Sequence, residues 1–225
     1  SDLNYNNNLW LSNNKPYSGD VYQLVKRKKI HLGRIEDGKK EKKWIEFGSL
    51  IWREGSYEKG NKIGSWNGWY SDSTKAFSGD YTQNLKDGLW SGWNIKGQLS
   101  YTGKYKNGKK DSTWIYLYEN NQMSDSGEYK NDLMIGPWKY WYLNGVLMKE
   151  GNYNSTNGRE SGVWIYYNTD GSIKEKSGSC AVITLIVGDM CYIANVGDSR
   201  ALMSGYEGKK LFPLSRDHKP LDELE

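Results

Sequence analysis

Along residues 33–171 short runs of aromatic and β-branched residues alternate with turn sequences built from Asn, Asp, Lys and Gly. Residues 103–118, GKYKNGKKDSTWIYLY, show the unit. Gly103 and Tyr105 open a short strand, Asn107-Gly108 asks for a tight turn with positive φ at both positions, and Trp114 begins a second strand. Six copies occur, opening at Gly33, Gly55, Gly79, Gly103, Gly127 and Gly151, so the period is 22 residues once and 24 residues four times. The matching tryptophans are Trp44, Trp66, Trp90, Trp114, Trp138 and Trp164, each 11 residues after its glycine except the last, which follows by 13. That copy carries its two extra residues within 154–163, where a hairpin loop can absorb them. A fixed period predicts a stack of hairpins and not one globule.

Turns inside the copies are expected at Asp37-Gly38, Asp87-Gly88, Asn107-Gly108 and Asn157-Gly158; a second set, Lys96-Gly97, Asn144-Gly145 and Asp170-Gly171, returns the chain to the next copy. Two turns per period predict two strands per period, joined up and down in an all-β, elongated, single-layer antiparallel sheet. Twelve strands about 4.8 Å apart would span on the order of 55–60 Å. The third residue after each repeat tryptophan is apolar in every copy (Phe47, Trp69, Trp93, Leu117, Trp141, Tyr167), while the second is Glu46, Gly68, Gly92, Tyr116, Tyr140 and Tyr166. Aromatic ladders are therefore expected on both faces, where cross-strand pairs supply roughly 0.2–1 kcal/mol each.

Composition divides the chain. All eleven tryptophans lie at or before Trp164, and both cysteines, Cys180 and Cys191, lie after it. The expected organisation is a lead-in and capping half-repeat at 1–32, six hairpin repeats at 33–177, and a different segment at 178–225. The Asn-rich residues 1–16 read as a weakly ordered lead-in or degenerate strand, and residues 17–22 as an opening strand without its Trp partner. Residues 1–177 carry 26 Lys+Arg against 20 Asp+Glu, and residues 178–225 carry 5 against 7. A mildly basic sheet can attract acidic surfaces, but the charge is too small to choose a partner. The basic run Lys26, Arg27, Lys28 and Lys29, with Lys39 and Lys40, is the candidate binding patch for an acidic protein surface, phosphoinositide or nucleic acid. Nucleic acid is the least favoured, because aromatics that recur at the repeat period are explained by packing. His31 is assigned no role. The longest apolar run, residues 180–187, is about half of a membrane span, no signal peptide is visible, and two cysteines fit an intracellular, cytoplasmic setting. The start at Ser1 and the stop after Glu225 are expected to mark a piece of something longer.

The recurring pattern Gly-x-Tyr, Lys/Asn/Gly turn, Trp-x-Tyr-x-Tyr, Asn-Gly, as in residues 127–145, resembles the variant MORN repeat over roughly residues 17–171. That resemblance implies a scaffold without catalytic chemistry, holding proteins of a large, cytoskeletal or ciliary assembly or lying near membranes. Asp111-Ser112-Thr113 replaces the usual Gly-rich stretch before Trp114 and leaves the turn geometry open. Beyond Ser177, residues 180–187 and 190–196 read as a buried apolar hairpin turning at Gly188-Asp189, extended as a meander by 201–204 and 210–214. Residues 178–182 (GSCAV), 197–201 (GDSRA) and 215–220 (SRDHKP) resemble, in order, the middle of a type 2C metal-dependent serine/threonine protein phosphatase, an α/β/β/α fold. The resemblance implies two Mg²⁺ or Mn²⁺ ions activating a water, held partly by an Asp-Gly-His-Gly-Gly motif that the 225 residues do not contain. It assigns only Asp198 as a metal ligand, while His218 is expected to hold a structural hydrogen bond. No catalytic residue and no cofactor are expected in this chain. Cys180 and Cys191 are expected as buried free thiols. The expected function is a targeting or scaffold sheet attached to an incomplete phosphatase domain. The alternative is the targeting arm of an active phosphatase, with a phosphoprotein substrate, whose catalytic motifs lie outside this chain.

Overall fold

The structure, a computed structural model, describes residues 3–25 and 27–178, together with the backbone of four strands between residues 181 and 213. All regular secondary structure in the described residues is β-strand. The chain divides into two units, Ser1–Leu133 and Met134–Glu225. In the first, β1 (Asn4–Asn6), β2 (Leu9–Ser12) and β3 (Lys15–Pro16) form a small sheet. Strands β4 (Gly19–Val25), β5 (Lys28–Glu36), β6 (Lys39–Phe47), β7 (Ile51–Glu58) and β8 (Asn61–Tyr70) then run as an antiparallel meander, each beside the next. It continues through β9 (Lys75–Thr82), β10 (Leu85–Trp93), β11 (Leu99–Lys106), β12 (Lys109–Leu117) and β13 (Met123–Lys130). In the second unit β14 (Leu133–Trp141), β15 (Leu147–Tyr153), β16 (Glu160–Tyr167) and β17 (Ile173–Gly178) follow the same rule.

Turn chemistry explains the meander. Asp37-Gly38, Lys59-Gly60, Gln83-Asn84, Asn107-Gly108 and Asn131-Asp132 are two-residue connections with φ between 46° and 82° at both positions, the left-handed pair that matches strand twist. Five of the returning loops are wider and carry one left-handed residue near their end: Ser73, Gly97, Asn121, Gly145 or Gly171. Asp87-Gly88 is not a turn, in contrast to the sequence expectation. Asp87 pairs with Asp80 inside β10, the register shifts between Asp87 and Ser91, and Gly88 is left-handed at φ 69°. Its counterparts, two residues before each repeat tryptophan, are Lys42, Gly64, Ser112, Gly136 and Gly162, all with φ between 59° and 69°. Each Trp strand thus carries a bulge at a constant place, and Ser112 adopts the glycine conformation there.

From residue 3 onward the Asn-rich lead-in forms three short strands. Asn7-Asn8 and Asn13-Asn14 are left-handed turn pairs (φ 47–63°) joining β1, β2 and β3, so the asparagines that suggested disorder are turn residues. The small sheet is tied to the meander where the Trp10 N–H donates to the Gly38 carbonyl at 2.7 Å and the Gly38 N–H to the Tyr17 carbonyl at 2.8 Å. Leu3, Trp10 and Tyr17 then lie against the buried cluster of Ile35, Trp44, Tyr57 and Trp66. Strand β4 occupies the place of a Trp strand and not of an opening strand, with Val21 opposite Gly33 as Trp44 is opposite Gly55.

In the tail, β18 (Ala181–Val187) and β19 (Met190–Val196) pair antiparallel from Ala181–Val196 to Val187–Met190, in the register the sequence predicts. The expected meander does not continue: β20 (Leu202–Gly205) pairs with β21 (Lys210–Pro213) as a separate two-stranded sheet. Cys180 lies outside the described residues.

Candidate interaction surface

One face of the sheet is built from four recurring positions. The repeat tryptophans are 3% exposed or less, and among the described residues only the N-terminal segment lies over any of them, at Trp44 and Trp66. Their cover comes from neighbours on the same face. In the first unit tyrosines two residues after the opening glycines, Ile35 in the first copy excepted, meet the indoles edge-on: Trp66–Tyr81 at 5.8 Å, Tyr81–Trp90 at 5.2 Å, Trp90–Tyr105 at 5.9 Å and Tyr105–Trp114 at 5.0 Å, with interplanar angles of 77–89°. The second unit repeats this in Trp138–Tyr153 and Tyr153–Trp164. Edge-to-face pairs contribute about 0.5–1.5 kcal/mol each beyond their buried area.

The opening glycines make room for the indoles. A Cβ at Gly33, Gly55, Gly79, Gly103 or Gly151 would fall inside the ring of Trp44, Trp66, Trp90, Trp114 or Trp164, respectively. Space and not backbone conformation requires glycine there. The indole also fixes its own height. The Trp44 N–H donates to the Arg34 carbonyl (3.0 Å), Trp66 to Ser56 (3.3 Å), Trp90 to Asp80 (3.1 Å) and Trp114 to Lys104 (3.0 Å), each the residue after the opening glycine. Trp164 Nε1 is buried without an acceptor among the described residues, while the Ser161 hydroxyl donates to the equivalent carbonyl, that of Asn152, at 3.5 Å.

A second exchange explains Gly68 and Gly92. Phe77 and Tyr101 lie across these glycines from the next strand, where a Cβ would collide with their rings. In the copies with Tyr116 and Tyr140 instead, the partner across the ladder is Asp125 or Lys149. At this pair an aromatic ring faces Gly, Asp or Lys and not a second ring, a signal readable by comparing copies. The opposite face differs from the expected second ladder. It holds the stacked pair Trp52–Trp69 (4.2 Å, 17°), but also a polar row in which Ser78 donates to Asn67 and Ser91 bonds Thr102.

In the first four copies lysines four residues before the tryptophans complete the aromatic face. Lys40 Nζ stands 4.5 Å over the Trp44 ring, Lys62 3.9 Å over Trp66, Lys86 4.2 Å over Trp90 and Lys110 4.5 Å over Trp114. Their stems shield the rings while the charges interact with the π faces. Burial pushes the Lys62, Lys86 and Lys110 ammonium groups below the usual lysine range. At Glu46 the carboxylate accepts from Lys40 and Tyr57 (both 2.6 Å), Arg53 (2.8 Å) and Lys62 (3.2 Å). Burial alone would raise the Glu46 carboxyl, but the hydrogen bonds from Lys40 and Tyr57 and the lysine charges outweigh it and hold it well below the carboxylate range.

The predicted basic patch is divided. Arg27, Lys28 and Lys29 are exposed at one end of β5, with Lys29 over the Tyr22 ring at 4.0 Å, whereas Lys39 and Lys40 begin β6 beyond the other end. Nine residues of strand hold the two groups about 25–30 Å apart, and only Lys39 is exposed in the second. Lys26, Asp198 and His218 lie outside the described residues. His31 sits 3.6 Å from Asp20. Among the described residues no three His, Cys, Asp or Glu side chains gather as they would to hold a metal ion.

Residues 143–225 match the family model for protein phosphatase 2C, so the match begins in the loop between β14 and β15, just ahead of the sixth hairpin. Over 52 residues the chain is 50% identical to protein phosphatase 2C homolog 2 of Hypocrea jecorina, covering 23% of this chain and 11% of that protein. It is 46% identical over 52 residues to probable protein phosphatase 2C 69 of Arabidopsis thaliana, covering 23% and 14%, and 49% identical over 49 residues to protein phosphatase 1G of Rattus norvegicus, covering 22% and 9%. The chain thus carries part of a protein phosphatase 2C domain and spans about a tenth of the length of the curated relatives it matches.

Proposed function

We propose that the hairpin sheet is a non-catalytic targeting module that positions a type 2C phosphatase domain, of which the C-terminal segment is a part, on a larger protein assembly. The observation that carries this reading is the division of labour on the sheet. The positions that recur in every copy are consumed by the Trp–Gly–Tyr ladder, which leaves the variable positions to form a patterned surface. The resemblance to variant MORN repeats supports a docking role, and the phosphatase 2C match supports phosphoprotein substrates for the full-length polypeptide. In such an enzyme Mg²⁺ or Mn²⁺ would activate the attacking water, and Asp198 is the residue of this chain that would contribute to holding it.

Dephosphorylation of a protein substrate and of a short phosphopeptide by the full-length polypeptide, with and without residues 1–142, which lie ahead of the phosphatase match, tests the reading. Removal of the sheet should leave kcat/KM on the short peptide within about twofold and lower it on the physiological assembly. Equal loss on both substrates would show instead that the sheet is part of the catalytic fold.

A further inference from the structure

The aromatic face of the first unit carries a charge pattern that packing alone does not use up. Lys62, Lys86 and Lys110 occupy the same position on β8, β10 and β12, so their ammonium groups recur every second strand, roughly 10 Å apart. Between Glu46 on β6 and Asp125 on β13 this face offers Gly, Trp, Phe, Tyr and Arg53 around them and no carboxylate, while Lys110 at the far end of the row has Asp125 and Asp132 near it. Lys62 shares Glu46 with Lys40 and Arg53, so that site keeps a net positive charge. Lys86 is flanked by the Trp90 and Tyr105 rings, and no carboxylate faces it among the described residues. The row leads into a groove of about 520 Å³ between the N-terminal sheet and the hairpin turns, lined by Trp10, Tyr57, Lys39, Lys59, Asn61 and Asn84.

An extended peptide rises about 3.3 Å per residue, so every third side chain repeats at about 10 Å, the spacing of the row. We propose that this face is a docking track for an extended acidic protein segment running across the strands. Its carboxylates, three residues apart, meet Lys62, Lys86 and Lys110, and one end lodges in the groove beside Trp10. Charge complementarity selects the partner: half-buried ammonium groups over aromatic rings have lost part of their hydration, and a carboxylate restores a counter-charge. The inference rests on the reading of the sheet as a docking module and names the chemistry it docks.

The test uses the whole chain and a fluorescein-labelled peptide of about thirteen residues with Glu at every third position among Ser and Gly, measured by anisotropy. The comparison peptide has the same composition with its glutamates contiguous. Binding should weaken at least about fivefold for the contiguous peptide and for Lys86→Met, which keeps the apolar cover over Trp90, while Lys104→Met on the opposite face should bind as the parent does. Unfolding midpoints of both variants are recorded alongside, and Lys110→Met provides a second variant should Lys86→Met unfold. Equal affinity for the two peptides, parental binding by both variants, or tighter binding to single-stranded DNA or phosphatidylserine vesicles would overturn the proposal. Such a failure leaves the targeting reading to its own assay, since that is read from turnover on the assembly and not from peptide binding.

Discussion

The fourth and sixth hairpins are built on the same ladder and differ in how tightly each detail is held. In the fourth, Tyr105 pairs with Lys110 around Asn107-Gly108, and Trp114 lies over Gly103 with its N–H on Lys104. In the sixth, Tyr153 pairs with Glu160 around a loop two residues longer, held by Asn154 backbone bonds to Gly158 and Arg159, and Trp164 lies over Gly151 all the same. The insertion is absorbed wholly between Tyr153 and Glu160. Register is therefore set by the tryptophan, its glycine and the bulge, and the turn accommodates them. The sixth copy lacks the indole hydrogen bond, and Ser161 bonds the carbonyl instead; it also has Glu160 where Lys110 covers the fourth indole, and Lys149 stands over Trp164.

The largest break in this pattern should come from Trp114→Ala, which removes the ring that Tyr101, Tyr105, Tyr116 and Tyr129 pack against and should cost about 3–5 kcal/mol in urea unfolding. Gly103→Ala should cost about 1–3 kcal/mol, because the added carbon meets the indole directly and ring and backbone have to shift. Ser112→Gly should act in the other direction and stabilise by about 1 kcal/mol, since a left-handed residue without a Cβ escapes the strain that Ser112 carries at φ 62°. Phe in place of Trp sharpens the comparison between copies. Trp114→Phe should cost about 1 kcal/mol more than Trp164→Phe, because only the former deprives a carbonyl of its indole donor.

The smallest effect is alkaline. Burial pushes the Tyr105 hydroxyl up to about 12, with smaller contributions from nearby Tyr101 and Asp132. A raised phenol contributes stability that is fully present below the unfolded value of about 10 and is lost as the pH rises from there towards 12. Tyr105→Phe should flatten the decline of the thermal midpoint over that window relative to the parent, a slope that other buried tyrosines leave in part.

The architecture was legible in the sequence wherever a residue acts through a rule that repeats. Gly-to-Trp spacing marks both strands of every copy, and Asn-Gly marks a hairpin turn. Rules that depend on what lies across the ladder were harder to read. Asp87-Gly88 has the composition of a turn, but Gln83-Asn84 already supplies one, so Gly88 serves the bulge. Gly68 and Gly92 looked like gaps beside Trp69 and Trp93, while their cause is an aromatic ring on the following strand. The N-terminal asparagines left open a weakly ordered lead-in or a degenerate strand, because their pairing into left-handed turns shows only once β1–β3 are in place. At the candidate surface, a count of adjacent lysines singled out Lys26–Lys29, whereas the periodic row of Lys62, Lys86 and Lys110 emerges from comparing copies. Asp198 was recognised from a motif and lies outside the described residues.

The most direct test of the ladder as the determinant of register is urea unfolding of two variants of the sixth copy. One replaces residues 154–159 with the four-residue turn of the fourth, Lys-Asn-Gly-Lys, and the other is Gly151→Ala. The account predicts that the turn replacement stays within about 1 kcal/mol of the parent while Gly151→Ala loses about 1–3 kcal/mol. A turn replacement that unfolds the sheet, beside a Gly151→Ala variant as stable as the parent, would contradict it.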